Sequence, residues 1–448
     1  MASAADRAPS RGRTLGIYML GVFLGALDMS VVAPAFPLIA KHFGVALTWD
    51  AWTITTYTIA YTAATVLAGA AGDRFGRRKL FAWGVAAFGL GSALCAVAGP
   101  FWLFLAARVV QGAGAGAIFP NAQAEGIQLF PPERRGRALG MFGAVFGLAS
   151  MIGPNVGGIL AQLYGWQSIF WINVPIAVVV LAAVRMLPRS QVLARRMPDW
   201  RGGVAFAGLI SAALFALTVS GGLRIWLAGA AAFFALAFAS AQRRAALPFI
   251  KADALRAGGY WLFAGAAIVG LDMASLVFVP LIAQNDLGFS VLSSGVSVTP
   301  MAFLGALMTG LGGILIDRIG PIPVVGCGML AWSAGGALLA IGPITTFRFF
   351  TALGLFGLGT AFTMGPPLNK LALGLFADEQ AGEALSLMSV FRSIGIAAGP
   401  VILAIAEHAG GYGALFGSLA VLSLAAVFLF VRAGGSYAGI RAAQGETN

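Results

Sequence analysis

Charge is scarce in this sequence. Only 10% of the 448 residues are charged, whereas 59% are hydrophobic. Soluble domains average roughly a quarter charged residues, so the composition excludes a typical globular enzyme, and the high hydrophobicity excludes intrinsic disorder. Cysteine and histidine are also rare, with two of each, and Cys95 and Cys327 both lie in apolar runs. We therefore expect neither a disulfide framework nor a metal site, and we interpret both cysteines as small buried side chains.

Motifs of nucleotide-dependent enzymes are missing as well. No G-x-x-x-x-G-K-[ST] run occurs, so ATP is not the obvious energy source. The glycines around Gly112 nominally match a dinucleotide fingerprint, but they lie inside an apolar run with no preceding strand, and we reject that interpretation. His42 and His408 lie at the ends of apolar runs, and no nucleophile–base pair is evident. The sequence therefore predicts a protein that is not an enzyme and has no cofactor.

Long apolar runs dominate the sequence instead. A helix needs about 20 mainly apolar residues to cross a bilayer. Runs of this kind lie near 14–40, 51–72, 79–98, 101–123, 137–163, 167–187, 203–220, 225–241, 260–283, 293–316, 322–342, 347–369, 383–405 and 412–432. We therefore predict an all-α integral membrane protein with fourteen spans. The first run is too long for the apolar part of a cleavable signal peptide and contains Asp28, so we keep it as a span.

The distribution of positive charges fits this membrane topology. The formal net charge is +12, which in a soluble protein would suggest nucleic acid as a partner. When the N-terminus is placed in the cytoplasm, the only basic residues in loops on the outer side of the membrane are Lys41, Arg224 and Arg348. This distribution is a strong positive-inside bias. We therefore predict that both termini are cytoplasmic and that the chain binds no nucleic acid. The alanine- and glycine-rich composition suggests a bacterial cell membrane.

An internal repeat divides the sequence. Leu27-Asp28-Met29 recurs as Leu271-Asp272-Met273, and Gly69-x-x-x-Asp73-Arg74-x-Gly76 recurs as Gly313-x-x-x-Asp317-Arg318-x-Gly320, both 244 residues later. The repeat predicts two six-helix halves, 14–187 and 260–432. Between them, residues 188–259 form cytoplasmic segments around two inserted helices, 203–220 and 225–241. Repeated halves around a midplane site are typical of secondary transporters.

Several motifs resemble those of the major facilitator superfamily. They are the loop Gly69-Ala-Ala-Gly-Asp73-Arg74-Phe-Gly76-Arg77-Arg78, the helix segment Arg108-Val-Val-Gln111-Gly112, the segment Gly153-Pro154-Asn-Val-Gly157-Gly158, and Leu27-Asp28-Met-Ser-Val-Val. In that family they resemble, in this order, the cytoplasmic signature loop, the proton-coupling motif, the antiporter motif and the first-helix motif of the fourteen-helix drug:proton antiporters. The resemblance covers essentially the whole chain. Ala149 departs from the antiporter motif, and the outer loop Glu407–Gly413 is short for the family.

This resemblance implies a major facilitator fold of two pseudo-symmetric halves plus two central helices. It also implies a proton-coupled exporter of hydrophobic, often cationic compounds, which is driven by the proton gradient and works as a monomer. The expected partners are a small hydrophobic substrate, protons and the lipid bilayer. The alternative on the same fold is an exporter of an endogenous metabolite or lipid.

Ionisable residues inside predicted spans are the candidates for coupling, because a charge at mid-membrane is costly and is retained for a function. Asp28 lies deep in the first span, where low dielectric favours its protonated form, and Asp272 is its repeat. The alternative for both is a structural carboxyl, with Arg392 as a plausible partner for Asp272. For Arg108 the resemblance implies a role in proton transfer, and the alternative is a side chain that snorkels to the membrane surface. For Glu125 the alternatives are a role in proton exit and an ordinary residue at the membrane interface.

The other candidates concern substrate contact and conformational change. Thr53, Tyr57 and Tyr61 share a helix face that would suit a hydrophobic cation, although packing is as good an explanation. In the signature loop, Gly76 allows a positive φ, and Asp73 is expected to latch the cytoplasmic side by pairing with arginines or a helix end. The glycines of the antiporter motif predict close helix packing, which is compatible with the family's seal against proton leak.

Overall fold

A computed structural model describes residues 11–131, 135–188, 199–244, 259–364, 366–375 and 381–443, and within these ranges the chain is helical without any strand. The first unit's helices are α1 Arg11–Val31, α2 Phe36–Phe43, α4 Trp52–Phe75, α5 Arg77–Val97, α6 Phe101–Gln128, α7 Arg135–Tyr164, α8 Ser168–Trp171, α9 Asn173–Val184, α10 Trp200–Thr218 and α11 Gly222–Arg244. The second unit's helices are α3 Leu47–Asp50, α12 Gly259–Ser275, α13 Phe278–Asn285, α14 Val291–Val296, α15 Thr299–Ile319, α16 Pro321–Ala340, α17 Thr346–Thr363, α18 Pro366–Leu375 and α19 Ala381–Ala443.

These helices form two compact units, Met1–Val45 with Trp52–Phe249 and Ala46–Ala51 with Ile250–Asn448. Among the described residues, ten helices are long and apolar enough to cross a membrane. The prediction of fourteen spans therefore stays a prediction. The last two predicted runs form the single element α19, whose backbone is non-helical at Gly410 and Gly411, inside the predicted loop Glu407–Gly413.

Both repeated helices are broken at the same place. The α-helical hydrogen bonding of α1 ends at Val31, a 3-10 turn covers Ala33–Ala35, and α2 follows. In the second unit α12 ends at Ser275, and α13 resumes at Phe278. Pro34 and Pro280 lie at these junctions, where a missing N–H removes a helical hydrogen bond. Each carboxylate of the repeat, Asp28 and Asp272, thus lies in the last turn before a break.

Glycines on α6 set its position between two neighbours. A Cβ at Gly112 would collide with the backbone of Tyr57 on α4, and one at Gly116 with the backbone of Tyr61 one turn later. Gly114 faces the other way, against the backbone of Phe88 on α5. Because residues four apart share a helix face and residues two apart do not, the alternating glycines let α6 approach both helices closely.

The internal repeat reappears as equivalent helix packing inside each unit. Gly153 of α7 lies against Ser30 and the Leu27 carbonyl of α1, and Gly157 lies against the Val31 carbonyl. In the second unit Gly399 of α19 lies against Ala274 and Leu271 of α12. This is the close packing that the glycines of the antiporter motif predicted, and Pro154 lies within the same helix, α7.

The two central helices belong to the first unit. Trp52 of α4 stacks on Phe215 of α10 with ring centroids 3.7 Å apart, and its indole N–H donates to Thr218 Oγ at 3.1 Å. In contrast, α11 has no buried residue and packs mainly on α10. The sequence prediction assigned these helices to a separate segment, 188–259, whereas the packing attaches them to the N-terminal unit through α10.

Two further sequence predictions concern a turn and a cysteine. Gly76 has φ +95° between α4 and α5, as predicted for this tight turn, and its repeat Gly320 has φ +81° between α15 and α16. Cys95 is buried, but Cys327 is exposed on α16. The prediction that both cysteines are buried is therefore wrong for Cys327, because an apolar run does not reveal which face of its helix points outward.

Gly112→Ala tests the α4–α6 contact. The added methyl group meets backbone, which cannot rotate away, so we expect a loss of about 1–3 kcal/mol in stability, typical of overpacking. The measurement is the unfolding temperature of the detergent-purified protein. Gly229→Ala on α11 is the matched control, since nothing lies within 4 Å of a Cβ there. Equal unfolding temperatures for the two variants would contradict the close approach.

Candidate functional site

The close contact between α4 and α6 positions Arg108. This arginine lies one helical turn before Gly112, and Thr53 lies one turn before Tyr57. The Gly112–Tyr57 contact therefore brings the guanidinium beside the Thr53 carbonyl, which accepts a hydrogen bond from Arg108 Nε at 2.9 Å. A side chain that would otherwise reach for water is held inside the unit, with 1% of its surface exposed.

Arg108 forms an ion pair with Asp28. Arg108 Nη1 donates to Asp28 Oδ2 at 2.9 Å, and Asp28 is fully buried. The same nitrogen also donates to Gln111 Oε1. The snorkelling alternative for Arg108 is thus wrong, because its charged group points into the unit toward a carboxylate rather than toward an aqueous interface.

Uncharged donors complete the environment of Asp28. Gln111 Nε2 and Asn173 Nδ2 donate to Asp28 Oδ1 at 2.8 and 2.9 Å. Both amides also donate to Ser92 Oγ, at 2.9 and 3.0 Å, and Ser92 in turn donates to the Phe170 carbonyl at 3.0 Å. Ser92 thus uses its one donor and both of its acceptor lone pairs. Helices α1, α4, α5, α6 and α9 therefore meet in one polar network, with Asp28 as its acceptor.

Sequence reasoning gave no role to three members of this network: Ser92 and Asn173, which it did not single out, and Gln111, which it quoted only as part of the Arg108 motif. Gln111 lies three residues after Arg108 on the same helix face, a signal that could have identified it. Ser92 and Asn173 lie in apolar runs without any charge nearby in sequence, so only the fold reveals their role. All three are fully buried, which distinguishes them from exposed polar residues.

The aromatic stripe on α4 is used differently from the prediction. Tyr57 and Tyr61 do stack, with ring centroids 6.3 Å apart and planes 11° from parallel. However, Tyr57 is 1% exposed, and its ring lies 4.3 Å from the Arg108 guanidinium carbon. Tyr57 and Thr53 therefore position Arg108, and within this unit neither is open to a substrate.

The second carboxylate has a simpler environment. Asp272 is fully buried, and Ser423 Oγ donates to its Oδ1 at 2.8 Å. Its Oδ2 has no hydrogen-bond partner among the described residues. Among the described residues Asp272 forms no ion pair with Arg392, the partner that the sequence suggested, and Arg392 Nη1 contacts Met364 Sδ at 3.8 Å. The backbone carbonyl of Arg392 packs on Gly270, and residues two apart on a helix point in nearly opposite directions, which separates Asp272 from Arg392.

The remaining candidates lie apart from both carboxylates. Glu125 is half-buried on α6, about 25 Å along the helix from Arg108, and the structure does not bring it into the network. In the signature loop, Arg78 donates to the Arg185 carbonyl at the end of α9, at 3.3 Å. The structure does not describe the side chains of Asp73 and Asp317 or the surroundings of Gly69, so the latch stays a prediction.

A double-mutant cycle tests the Tyr57–Arg108 contact. Tyr57→Phe should leave the unfolding temperature unchanged, because the hydroxyl has no hydrogen-bond partner among the described residues. Tyr57→Leu should destabilise the unaltered protein more than the same substitution destabilises the Arg108→Gln variant. The difference, which is the coupling free energy, should be about 0.5–2 kcal/mol because the cation–π contact is lost only in the first case. A coupling of zero would show that Tyr57 only fills space.

Comparison with known proteins agrees with this architecture. The chain is 31% identical over 424 residues to Multidrug resistance protein 3 of Bacillus subtilis, covering 89% of this chain and 80% of that protein. It is also 31% identical over 420 residues to Puromycin resistance protein pur8 of Streptomyces alboniger, covering 90% and 83%.

Among solved structures, the chain resembles a POT family transporter crystallised with 5-aminolevulinic acid. The TM-score is 0.71 over 95% of this chain and 97% of the other, at 12% sequence identity, which shows a shared fold alone. The family description "Major Facilitator Superfamily" matches residues 18–242 and 260–441. A match over nearly the whole chain, relatives of this similarity and a buried charge network in apolar helices lead to one conclusion: the chain is a multi-pass membrane transporter that belongs to the Major Facilitator Superfamily.

Proposed function

We propose that the protein exports hydrophobic, cationic compounds from the cell in exchange for protons, by alternating access. The observation that carries the proposal is the buried Asp28–Arg108 pair, in which Asp28 lies near the middle of its span and has uncharged donors around it. Asp28 lies 17 residues after the start of its span at Arg11, or roughly 25 Å of helix. Ionisable groups at such a depth are rare and mark transport pathways. Relatives named for multidrug and puromycin resistance support the substrate class.

The network offers a physical route for coupling. When a proton binds to Asp28, the carboxyl loses its charge, and the attraction that holds Arg108 is lost with it. A buried arginine without a counter-charge is strongly unfavourable, so protonation favours a rearrangement that gives Arg108 another partner or water. Because the donors to Asp28 come from α6 and α9, that rearrangement reaches several helices of the first unit. A cationic substrate would compete with Arg108 for the same carboxylate, which makes proton and substrate alternatives.

Other parts of the proposal rest on sequence. They are the fourteen-span arrangement with cytoplasmic termini, supported by the positive-inside bias, and action as a monomer without a cofactor. The signature-loop arginines add the contact from Arg78 to the end of α9, where a cation also compensates the negative end of the helix dipole.

The function is tested with purified protein in liposomes that carry a pH gradient. An organic cation should accumulate against its own gradient while protons move in the opposite direction, and collapsing the pH gradient should stop the accumulation. Matched neutral and anionic compounds define the substrate class. Transport that ignores the pH gradient, or that accepts only an endogenous metabolite or lipid, would contradict the proposal.

Asp28→Asn should abolish proton-driven accumulation. This variant also leaves Arg108 without its counter-charge, and breaking a buried pair costs roughly 3–5 kcal/mol, so its expression or stability should fall. The double variant Asp28→Asn with Arg108→Gln removes both charges and should regain stability without regaining coupled transport. Asp286→Asn, at an exposed carboxylate after α13, is the control and should transport normally. Normal coupled export by either Asp28 variant would exclude Asp28 as the coupling group.

A further inference from the structure

The two repeated carboxylates occupy equivalent places in their own units. Asp28 lies three residues before the end of α1, and Asp272 lies three residues before the end of α12. Both side chains are fully buried, and Asp272 is about 13 residues from either end of its span, Gly259–Asn285. The C-terminal end of a helix carries a partial negative charge, which disfavours a carboxylate in the last turn. Each ionised carboxylate would therefore need compensation from its neighbours.

Compensation for the two carboxylates differs. Asp28 accepts from a guanidinium and two amides, and both of its oxygens have partners. At a shift of 244 or 245 residues, the positions of Arg108 are taken by Ala352 or Leu353, and those of Gln111 by Leu355 or Phe356. The position of Ser92 becomes Gly336 or Ala337. The second half thus repeats the carboxylate without the polar residues that neutralise it in the first.

One donor remains in the second unit. Ser423 Oγ of α19 lies 2.8 Å from Asp272 Oδ1 and 2.9 Å from the Leu419 carbonyl, and its one hydrogen can donate to either oxygen, whereas in the first unit Asn173 of α9 donates to Asp28 Oδ1. Asp272 Oδ2 is fully buried and has no partner among the described residues. A single neutral hydroxyl satisfies one acceptor but supplies no positive charge. An ionised carboxylate in this environment would be a buried and unpaired charge, whereas a carboxylic acid there carries none.

Charged groups on the helices around α12 do not compensate an ionised Asp272. On α19, Arg392 contacts Met364, Glu407 lies 16 residues before Ser423, and Arg432 stacks on its neighbour Phe428 nine residues after Ser423. Helix α18 carries Lys370, which is exposed. The segment Pro321–Ala340 of α16 contains no charged residue.

We propose that Asp272 carries a proton in this conformation while Asp28 is ionised, so that the two repeated carboxyls hold opposite protonation states and Asp272, hydrogen-bonded by Ser423, is a second proton site. The role of this proton in transport rests on the proposed function. Asp272 can release it only when a conformational change brings water or a cation to the carboxyl. The second unit would then add one proton to each cycle, in addition to the exchange at Asp28.

The test measures the infrared carbonyl band of a protonated carboxylic acid, which an ionised carboxylate lacks, on the full chain in lipid bilayers at neutral pH. Subtracting the spectrum of Asp272→Asn from that of the unaltered protein should leave a carboxylic-acid band. The same subtraction with Asp28→Asn should leave none. A missing band for Asp272, or a band for Asp28, overturns the proposal.

A second variant covers the case in which Asp272→Asn does not fold. Ser423→Ala removes the hydrogen bond to Asp272 Oδ1 and should move the same band to higher frequency. Ser418→Ala is the matched control, because this hydroxyl on the same helix donates to the Leu415 carbonyl instead. An unshifted band in Ser423→Ala, or an equal shift in both variants, overturns the assignment to Asp272.

Transport then separates this inference from the proposed function. In liposomes, Asp272→Asn should still export the organic cation but should move one proton fewer per substrate than the unaltered protein. An unchanged proton count overturns the transport role of Asp272. If the unaltered protein itself shows no proton-coupled transport, the proposed function fails, while the infrared result still decides whether Asp272 is protonated.

Discussion

The buried ion pair between Asp28 and Arg108 sets the main constraint on the N-terminal unit. Two charges without access to water are tolerated only when each has a partner and the remaining hydrogen-bonding groups are satisfied. Here the partners come from separate helices, so the helices must stand in one particular register for the pair to exist. Ser92 links the two amides that donate to Asp28, and this link extends the requirement to α5. Chemistry and architecture are therefore inseparable in this unit.

Glycines make that register possible. Gly112 and Gly116 bring α6 onto the backbone of α4, and Gly114 brings it onto α5. Without side chains at these contacts, a guanidinium reaches a backbone carbonyl on the next helix within hydrogen-bond distance. The glycine run that superficially resembles a nucleotide-binding motif thus has a mechanical explanation. It is the packing surface that allows an arginine to be buried at all.

Sequence reasoning identified the charged residues but not their partners. Asp28 and Arg108 were recognisable because a charge in an apolar run is conspicuous. Ser92 and Asn173 were not, since single neutral polar residues are common in membrane helices and show no periodic signal. The Asp272–Arg392 pair was suggested because both residues lie near mid-span. It was wrong because depth in the membrane does not determine which way a side chain points. The sequence correctly predicted that Tyr57 and Tyr61 share one face of α4. It did not predict that this face contacts Arg108, because that contact depends on how α4 and α6 are aligned. Fold class and the internal repeat were accessible, because long apolar runs and two motifs separated by 244 residues do not depend on tertiary contacts.

Helix α11 illustrates the opposite situation, since none of its side chains is buried. On the face that points away from α10, hydrophobicity matters more than the identity of each residue, because no neighbouring side chain has to fit there. Among descendants of this sequence, α11 should therefore drift faster than α10, which is tied to the first unit by Trp52 and Phe215. The same freedom makes the face of α11 that points away from α10 a natural place to attach a small label without disturbing the charge network.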